Sequence, residues 1–218
     1  NEKSTHYSMS NGKWCIPDNK VIKLYKKMHK HIFDSGKPCH IVERMNDYHP
    51  LVIDIDVKYA DKIDNRQYNQ DTILKIINFL WLNLSDLLHL EENSKFSEIW
   101  VMEKDKIYPC SAKKFKMKDG IHIVLPHVII KKTTYRQIIN ILKEQRVIEE
   151  IFKETCEISP SNTEETLLDG CFTGWQPYGC SKENESHYTL TQVFKLDSDN
   201  VINPIDLELF PESYTNPL

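Results

Sequence analysis

No apolar run in this chain is long enough to cross a bilayer. The best stretch, Ile73 to Leu90, is broken by Lys75, Asn78, Asn83, Ser85 and Asp86, so no membrane partner is expected. Charge of one sign is also missing. Lys and Arg number 28 against 32 Asp and Glu, giving −4 at pH 7, so any polyanion site must be a local patch. No C-x-x-C occurs among Cys15, Cys39, Cys110, Cys156, Cys171 and Cys180, and Cys39-His40 is the one adjacent Cys/His pair. Structural zinc sites use close ligand pairs, so no zinc is expected. The cysteines read as free thiols of an intracellular protein. The G-x-x-x-x-G-K-[ST] phosphate loop is absent, as are repeats and low-complexity tracts. The opening residues carry no secretory leader, and the start on Asn1 rather than Met suggests a piece of a longer protein.

Against these absences stands Pro50-Leu51-Val52-Ile53-Asp54-Ile55-Asp56-Val57. As a strand it alternates strictly. Leu51, Ile53, Ile55 and Val57 share one face, while Val52, Asp54 and Asp56 share the other. Two carboxylates therefore project side by side and repel one another, to no benefit in a purely structural strand. A divalent cation removes the conflict, because Mg²⁺ and Mn²⁺ prefer hard oxygen ligands. A solvated edge strand is the plainer alternative.

At 218 residues the chain fits one large domain or two small lobes. Val21, Leu24, Tyr25, Met28 and Ile32 have helical spacing after Pro17-Asp18, with Gly36 as a stop. Asp71 can cap a second helix with Ile73, Leu74, Ile77, Leu80, Trp81, Leu84 and Leu88 on one stripe. Strands are predicted over 98–103 and over 120–125, ending at Pro126, with His127 in a loop. A helix starts at Thr133 or Thr134 and carries Ile138, Ile139 and Leu142, extended or broken toward Phe152. Strands return between Leu167 and Leu196. The tail, with Asn203-Pro204, Pro211 and Asn216-Pro217, reads as a linker. The sum is an α+β or α/β domain with a mixed sheet.

Two further constellations carry chemistry. In Lys118-Asp119-Gly120-Ile121-His122-Ile123-Val124-Leu125, strand parity puts Lys118, Gly120 and His122 on one face. A cation, a bare backbone position and an imidazole in a row would let a phosphate chain approach and be hydrogen-bonded. A surface strand with a satisfied His is the alternative. In Leu167-Leu168-Asp169-Gly170, two leucines deliver one Asp to a strand end. Trp175-Gln176-Pro177-Tyr178-Gly179-Cys180-Ser181-Lys182 follows, a turn that could offer backbone N–H groups and Lys182 to an anion. Both are also ordinary turn sequences.

In this order, an Asp-x-Asp strand, a Gly-x-His strand and a hydrophobic-Asp motif resemble the three motifs of the archaeo-eukaryotic primase superfamily. The long third block, continuing through Ser186-His187-Tyr188-Thr189-Leu190-Thr191-Gln192-Val193-Phe194, is similar to the primase domain of primase–helicases from large double-stranded DNA viruses. Val42-Glu43-Arg44 fits as a lead-in, and the resemblance runs from about Pro38 to Leu196.

The resemblance implies an α+β catalytic core built on an RNA-recognition-motif-like sheet with a second α/β unit packed against it. It implies a single two-lobed domain over 1–196, and a linker over 197–218 toward a covalently linked C-terminal helicase. Asp54, Asp56 and Asp169 match metal-binding carboxylates for a two-metal Mg²⁺ or Mn²⁺ site. Asp54, Asp56, Asp169 and His122 make up the catalytic set. His122, Lys118, Gly120, Ser181 and Lys182 make up the nucleotide-binding set. The implied activity is template-dependent nucleotidyl transfer from NTP or dNTP on single-stranded DNA, in a host-cell cytoplasm or viral replication factory. Lys113, Lys114, Lys116, Lys131 and Lys132 are the local basic candidates for holding the template. The chain departs from the pattern in places. Gly120 stands where many relatives have Ser, Gln176 lies where relatives outside the viral group often carry Arg, and no zinc module is present. A metal-dependent nuclease and a catalytically idle DNA- or helicase-binding module remain as alternatives.

Overall fold

The structure, a computed structural model, describes residues 4–8, 11–90, 95–183, 185–197 and 201–205. Its strands are β1 (His6–Ser8), β2 (Lys13–Trp14), β3 (Ile41–Arg44), β4 (Tyr48–Tyr59), β5 (Ile99–Lys104), β6 (Tyr108–Pro109), β7 (Met117–Lys131), β8 (Leu168–Asp169), β9 (Gly174–Trp175), β10 (Tyr188–Leu196) and β11 (Ile202–Ile205). The helices are α1 (Asp18–His29), α2 (Gln70–Leu88), α3 (Lys132–Gln145), α4 (Val147–Thr155) and α5 (Glu164–Leu167).

The central unit is β4-α2-β5-β7-α3/α4-β8. Its strands lie in the order β8-β4-β7-β5, extended beyond β5 by β10 and β11. Each helical crossover joins two strands of like direction with a third strand inserted between them. This is the split βαβ arrangement, in which parallel crossovers give only antiparallel neighbours. Every observed strand pair is accordingly antiparallel, where the sequence suggested a mixed sheet. The four-stranded core has the RNA-recognition-motif order and confirms the α+β class. A smaller sheet, β2-β1-β3-β9, with α1, forms the second unit.

The alternation expected for β4 is observed. Leu51, Ile53, Ile55 and Val57 are fully buried, packed with Ile73, Ile76, Ile77 and Leu80 of α2 and Phe152 of α4. Local corrections have simple causes. The N-cap of α2 is Asn69, whose side chain accepts from the Thr72 N–H in a capping box, so Asp71 sits in the first turn. β7 runs through Pro126 and His127 instead of stopping there. Opposite the Pro50/Leu51 step the register jumps from Ile129 to Leu125, so a bulge absorbs a proline that cannot donate to the ladder. α3 and α4 are separate because Arg146 adopts a left-handed conformation (φ 56°). Part of the expected linker is sheet: Ile202–Ile205 pairs with β10 and Ile202 is buried. Residues 206–218 lie outside the described residues.

Candidate active site

Strand pairing assembles the site. Asp54 on β4 lies opposite Asp169 on β8 and, on its other side, opposite His122 on β7. Asp56 faces Gly120, and Lys58 faces Lys118. Directly opposed residues of antiparallel strands share a face. Three motifs separated by long stretches of chain therefore stand in one row on the sheet face away from the helices. Beyond β8 the edge of β4 is finished by a side chain. Buried Asn162 donates to the Asp56 carbonyl (2.7 Å) and accepts from the Lys58 N–H (3.0 Å), standing in for a strand.

The charges on this face are only partly compensated. Asp56 holds Lys58 at 3.1 Å and Lys118 at 3.5 Å. Burial works against its ionisation, but Lys118 and Lys58 outweigh it and hold the carboxyl below the usual range. Among the described residues Asp54 has no such cation. Its Oδ1 is buried without a hydrogen-bond partner; His122 Nε2 is 3.5 Å away, and the Cys171 thiol lies 3.6 Å from Oδ2. Burial, then the neighbouring charges of Asp56 and Asp169, push the Asp54 carboxyl up to about 7. His122 goes the other way. Burial, then Lys104, Lys182 and Lys118, push its pKa well below the ordinary value, so the imidazole is neutral at pH 7. Burial and the Asp54 charge likewise raise the Cys171 thiol, which stays protonated.

Two aromatic residues clamp His122. Tyr188 stacks on it with ring centres 3.4 Å apart and planes 17° apart, and Trp175 closes the other side at 4.3 Å. This explains Gly120 differently from the sequence reading. A Cβ there would stand 2.2 Å from the Tyr188 hydroxyl, so Gly120 makes room for the tyrosine and is not an open approach for phosphate. Ser181 is corrected too. The Cys180 N–H is spent on the Pro177 carbonyl and the Ser181 N–H on the Cys39 carbonyl (both 2.9 Å), while the Ser181 carbonyl lies 2.7 Å from His40 Nδ1. That turn anchors Lys182; the N–H groups of Cys180 and Ser181 are not open to an anion.

Lys182, Asp54, His122, Asp169, Gly170 and Gln176 line one cleft of about 270 Å³. Lys104, which the sequence did not flag, sits beside it, bound to Glu185 (2.5 Å) and over the ring of Tyr108. The basic candidates separate: Lys113, Lys114 and Lys116 precede β7, whereas Lys131 ends it and Lys132 opens α3 at the far end. A larger cleft of about 480 Å³ between α3, α4 and α5 is lined by groups that bond one another: Lys143 with Glu165, and Glu149 with Glu164 through their backbone N–H groups.

Among the described residues no three His, Cys, Asp or Glu side chains stand ready to ligate an ion. The reason is visible at Asp56, whose oxygens face lysines. The donor set still suits a hard cation, since Asp54 offers an unpartnered buried oxygen between two further carboxylates. Lys58, Lys104, Tyr188 and Cys171 are the site residues the sequence missed. Lys58 had a readable signal, continuing the Asp54/Asp56 face by parity; Tyr188 lies in the third block and Cys171 two residues past Asp169, but their spacing does not reveal that they face His122 and Asp54, and Lys104 lies in none of the three motifs.

Comparisons with known proteins agree with this architecture. A family model described as "C962R protein N-terminal AEP domain", AEP standing for archaeo-eukaryotic primase, matches residues 5–194. A protein of Acanthamoeba polyphaga mimivirus named as a helicase is 26% identical over 183 residues, covering 81% of this chain and 18% of that protein. Another named as a helicase, from Invertebrate iridescent virus 6, is 27% identical over 203 residues, covering 84% and 20%. The chain thus spans about a fifth of the length of these relatives. Among the described residues no helix is long and apolar enough to cross a membrane.

Proposed function

The chain belongs to this archaeo-eukaryotic primase family, and on that premise we propose that it is the nucleotidyl-transferring domain of a viral primase–helicase, making primers on a single-stranded DNA template. The observation that carries the reading is Asp54, set in register between Asp169 and His122 with a buried oxygen that has no hydrogen-bond partner among the described residues. An uncompensated acid in a cleft, with strongly shifted neighbours, is what a site built for an absent charged ligand looks like.

Asp54, Asp169 and Asp56 would hold Mg²⁺ or Mn²⁺. When bound, such ions lower the pKa of an attacking 3′-hydroxyl and neutralise charge building on the α-phosphate and leaving pyrophosphate. For Asp56 to take part, its oxygens must turn from Lys58 and Lys118. Those two ammonium groups then become free for the β- and γ-phosphates of a nucleoside triphosphate, beside Lys104 and Lys182. His122 acts as a neutral hydrogen-bonding group held at a fixed angle by Tyr188 and Trp175. Preorganisation of this kind lowers the barrier without a side-chain nucleophile. The helicase names of the viral relatives, and their much greater length, support a helicase region elsewhere in the same polypeptide.

Incubation with single-stranded template, labelled nucleotides and Mg²⁺ or Mn²⁺ tests the reading. Products longer than the input nucleotides are expected. A shortened template would mean a nuclease, and no product of either kind an idle binding module.

A further inference from the structure

One edge of β4 is paired along its whole length with β7. The other meets β8 over two residue pairs, Asp54 with Asp169 and Ile55 with Leu168. So short a ladder holds a strand weakly. Ser161 and Asn162 carry the edge further, with four hydrogen bonds to alternate residues of β4. Asn162 Nδ2 donates to the Asp56 carbonyl, and its Oδ1 accepts from the Lys58 N–H. The Ser161 N–H donates to the Lys58 carbonyl (2.7 Å), and Ser161 Oγ accepts from the Ala60 N–H (2.8 Å).

These contacts fall in sequence order. Ser161 lies beside Lys58 and Ala60, Asn162 beside Asp56 and Lys58, Leu168 beside Ile55 and Asp169 beside Asp54. The segment from Ser161 to Asp169 therefore follows β4 as one antiparallel strand, interrupted between Asn162 and Leu168 by the single helical turn of α5. The interruption is fixed from behind. Leu167 and Leu168 are fully buried, and the carboxylates of Glu164 and Glu149 accept one another's backbone N–H groups. Where α5 leaves the sheet, Asp56 and Lys58 have no main chain opposite them at the break. Buried Asn162 fills that place, because a carboxamide carries the same donor and acceptor as a peptide group.

The main-chain groups gripped in this way belong to the ion pair beside Asp54 on the open face, Asp56 with Lys58. For Asp56 to hold a cation its oxygens turn away from Lys58 and Lys118. The side chain has to swing while its backbone keeps register with Asp169. Mg²⁺ tolerates little error, taking near-octahedral ligands at about 2.0–2.1 Å. We propose that Asn162 is a positioning residue for the cation-binding carboxylates, holding Asp56 at a fixed offset from Asp54 and Asp169 across the break made by α5. It acts through the β4 backbone and not by contact with the cation. The inference rests on the reading above of Asp54, Asp56 and Asp169 as cation ligands.

The test is Mn²⁺ binding to the chain without nucleotide, read from the electron paramagnetic resonance of free Mn²⁺. The site is the part of that binding which Asp54→Asn removes. Asn162→Ala should weaken it about 10–100-fold, the scale for losing a group that orients a metal ligand. Ser161→Ala gives up a hydrogen bond to the same edge, but at Ala60, beyond the carboxylates. It should leave Mn²⁺ affinity near the wild-type value. Asn162→Asp is the second variant, for the case that alanine impairs folding. It keeps an acceptor for the Lys58 N–H and sets a carboxylate oxygen against the Asp56 carbonyl. Its added negative charge by itself favours a cation, so weaker Mn²⁺ binding there reports lost positioning. Wild-type affinity in a folded Asn162→Ala or Asn162→Asp chain would overturn the inference and leave the cation site standing. Equal weakening by Ser161→Ala would overturn it as well, since the segment would then be a general brace. A wild-type chain from which Asp54→Asn removes no Mn²⁺ binding takes away the cation reading, and this inference with it.

Discussion

Two clusters of acids and bases lie on opposite faces of the same sheet, one residue apart along β7. On the helix-covered face, Asp119 and Glu103 are buried and Arg66 satisfies both. Its Nε and Nη2 donate to the two Asp119 oxygens (2.8 and 3.1 Å), its Nη1 to Glu103 (2.9 Å), and Tyr68 lies under the guanidinium at 4.7 Å. On the open face, among the described residues, Asp54 has no lysine or arginine partner and keeps an oxygen without a hydrogen bond, while Asp56 takes two lysines. The composition is similar and the state of compensation is opposite. In the closed network Arg66 pairs both carboxylates without a ligand, and the network serves the fold. The open one is left incomplete among the described residues, which is the observation behind the proposed ligand site.

The sharpest way to break this contrast is Arg66→Ala. It should strand Asp119 and Glu103 as buried unpaired charges and cost about 3–5 kcal/mol of stability, read by chemical denaturation. An unchanged midpoint would mean that the reverse network is not what holds these strands. On the open face the opposite outcome is expected. Asp54→Asn should lower synthesis by at least about 10²–10³-fold, the scale of losing one charge-stabilising group, while the melting temperature stays equal or rises. Near-normal synthesis from a well-folded variant would remove Asp54 from the site.

The pH dependence sharpens the same point. Asp54 has a folded pKa of about 7, above the ordinary carboxylate value. Its contribution to stability is therefore full below the unfolded pKa near ~4 and is lost as pH rises through about 7. Without divalent cation, the melting temperature of Asp54→Asn should gain on the wild type between pH 5 and pH 8, as measured by calorimetry. At the upper pH, Mn²⁺ should stabilise the wild type and not the variant, because cation binding competes with that proton.

Smaller effects are expected at the nucleotide contacts. His122→Ala and Lys182→Ala should each weaken nucleotide binding by about 1–3 kcal/mol, with little change in affinity for single-stranded DNA. Unfolding by His122→Ala with no effect of Lys182→Ala would make the histidine merely structural. The smallest change is predicted for Tyr188→Phe, about 1 kcal/mol or less in nucleotide KM. It keeps the ring on His122 and removes only the hydroxyl above Gly120.

Much of the site was legible in the chain because strand parity is local. Alternation alone put Asp54 with Asp56 and Lys118 with His122, and it separated the buried isoleucines from the polar face. Where reading failed, the cause was a partner distant in sequence. Gly120 looked like an approach for phosphate because nothing near it reveals a tyrosine 68 positions later. Ser181 looked like an anion-binding turn because its N–H bonds to Cys39, 142 positions earlier. Pro126 looked like a strand end because a compensating bulge depends on the register of β4.

By itself, then, the sequence determined which residues share a face, where apolar stripes run and which carboxylates must repel, since these follow from the two-residue and 3.6-residue periods of the backbone. Only the tertiary structure decided which repulsions are relieved. Asp119 and Asp54 look alike in the chain. One meets Arg66 across a buried network, while the other meets Asp169 across a strand pair and has no lysine or arginine partner among the described residues. Charge compensation depends on distances of a few ångströms between residues remote in sequence, and no local pattern encodes those.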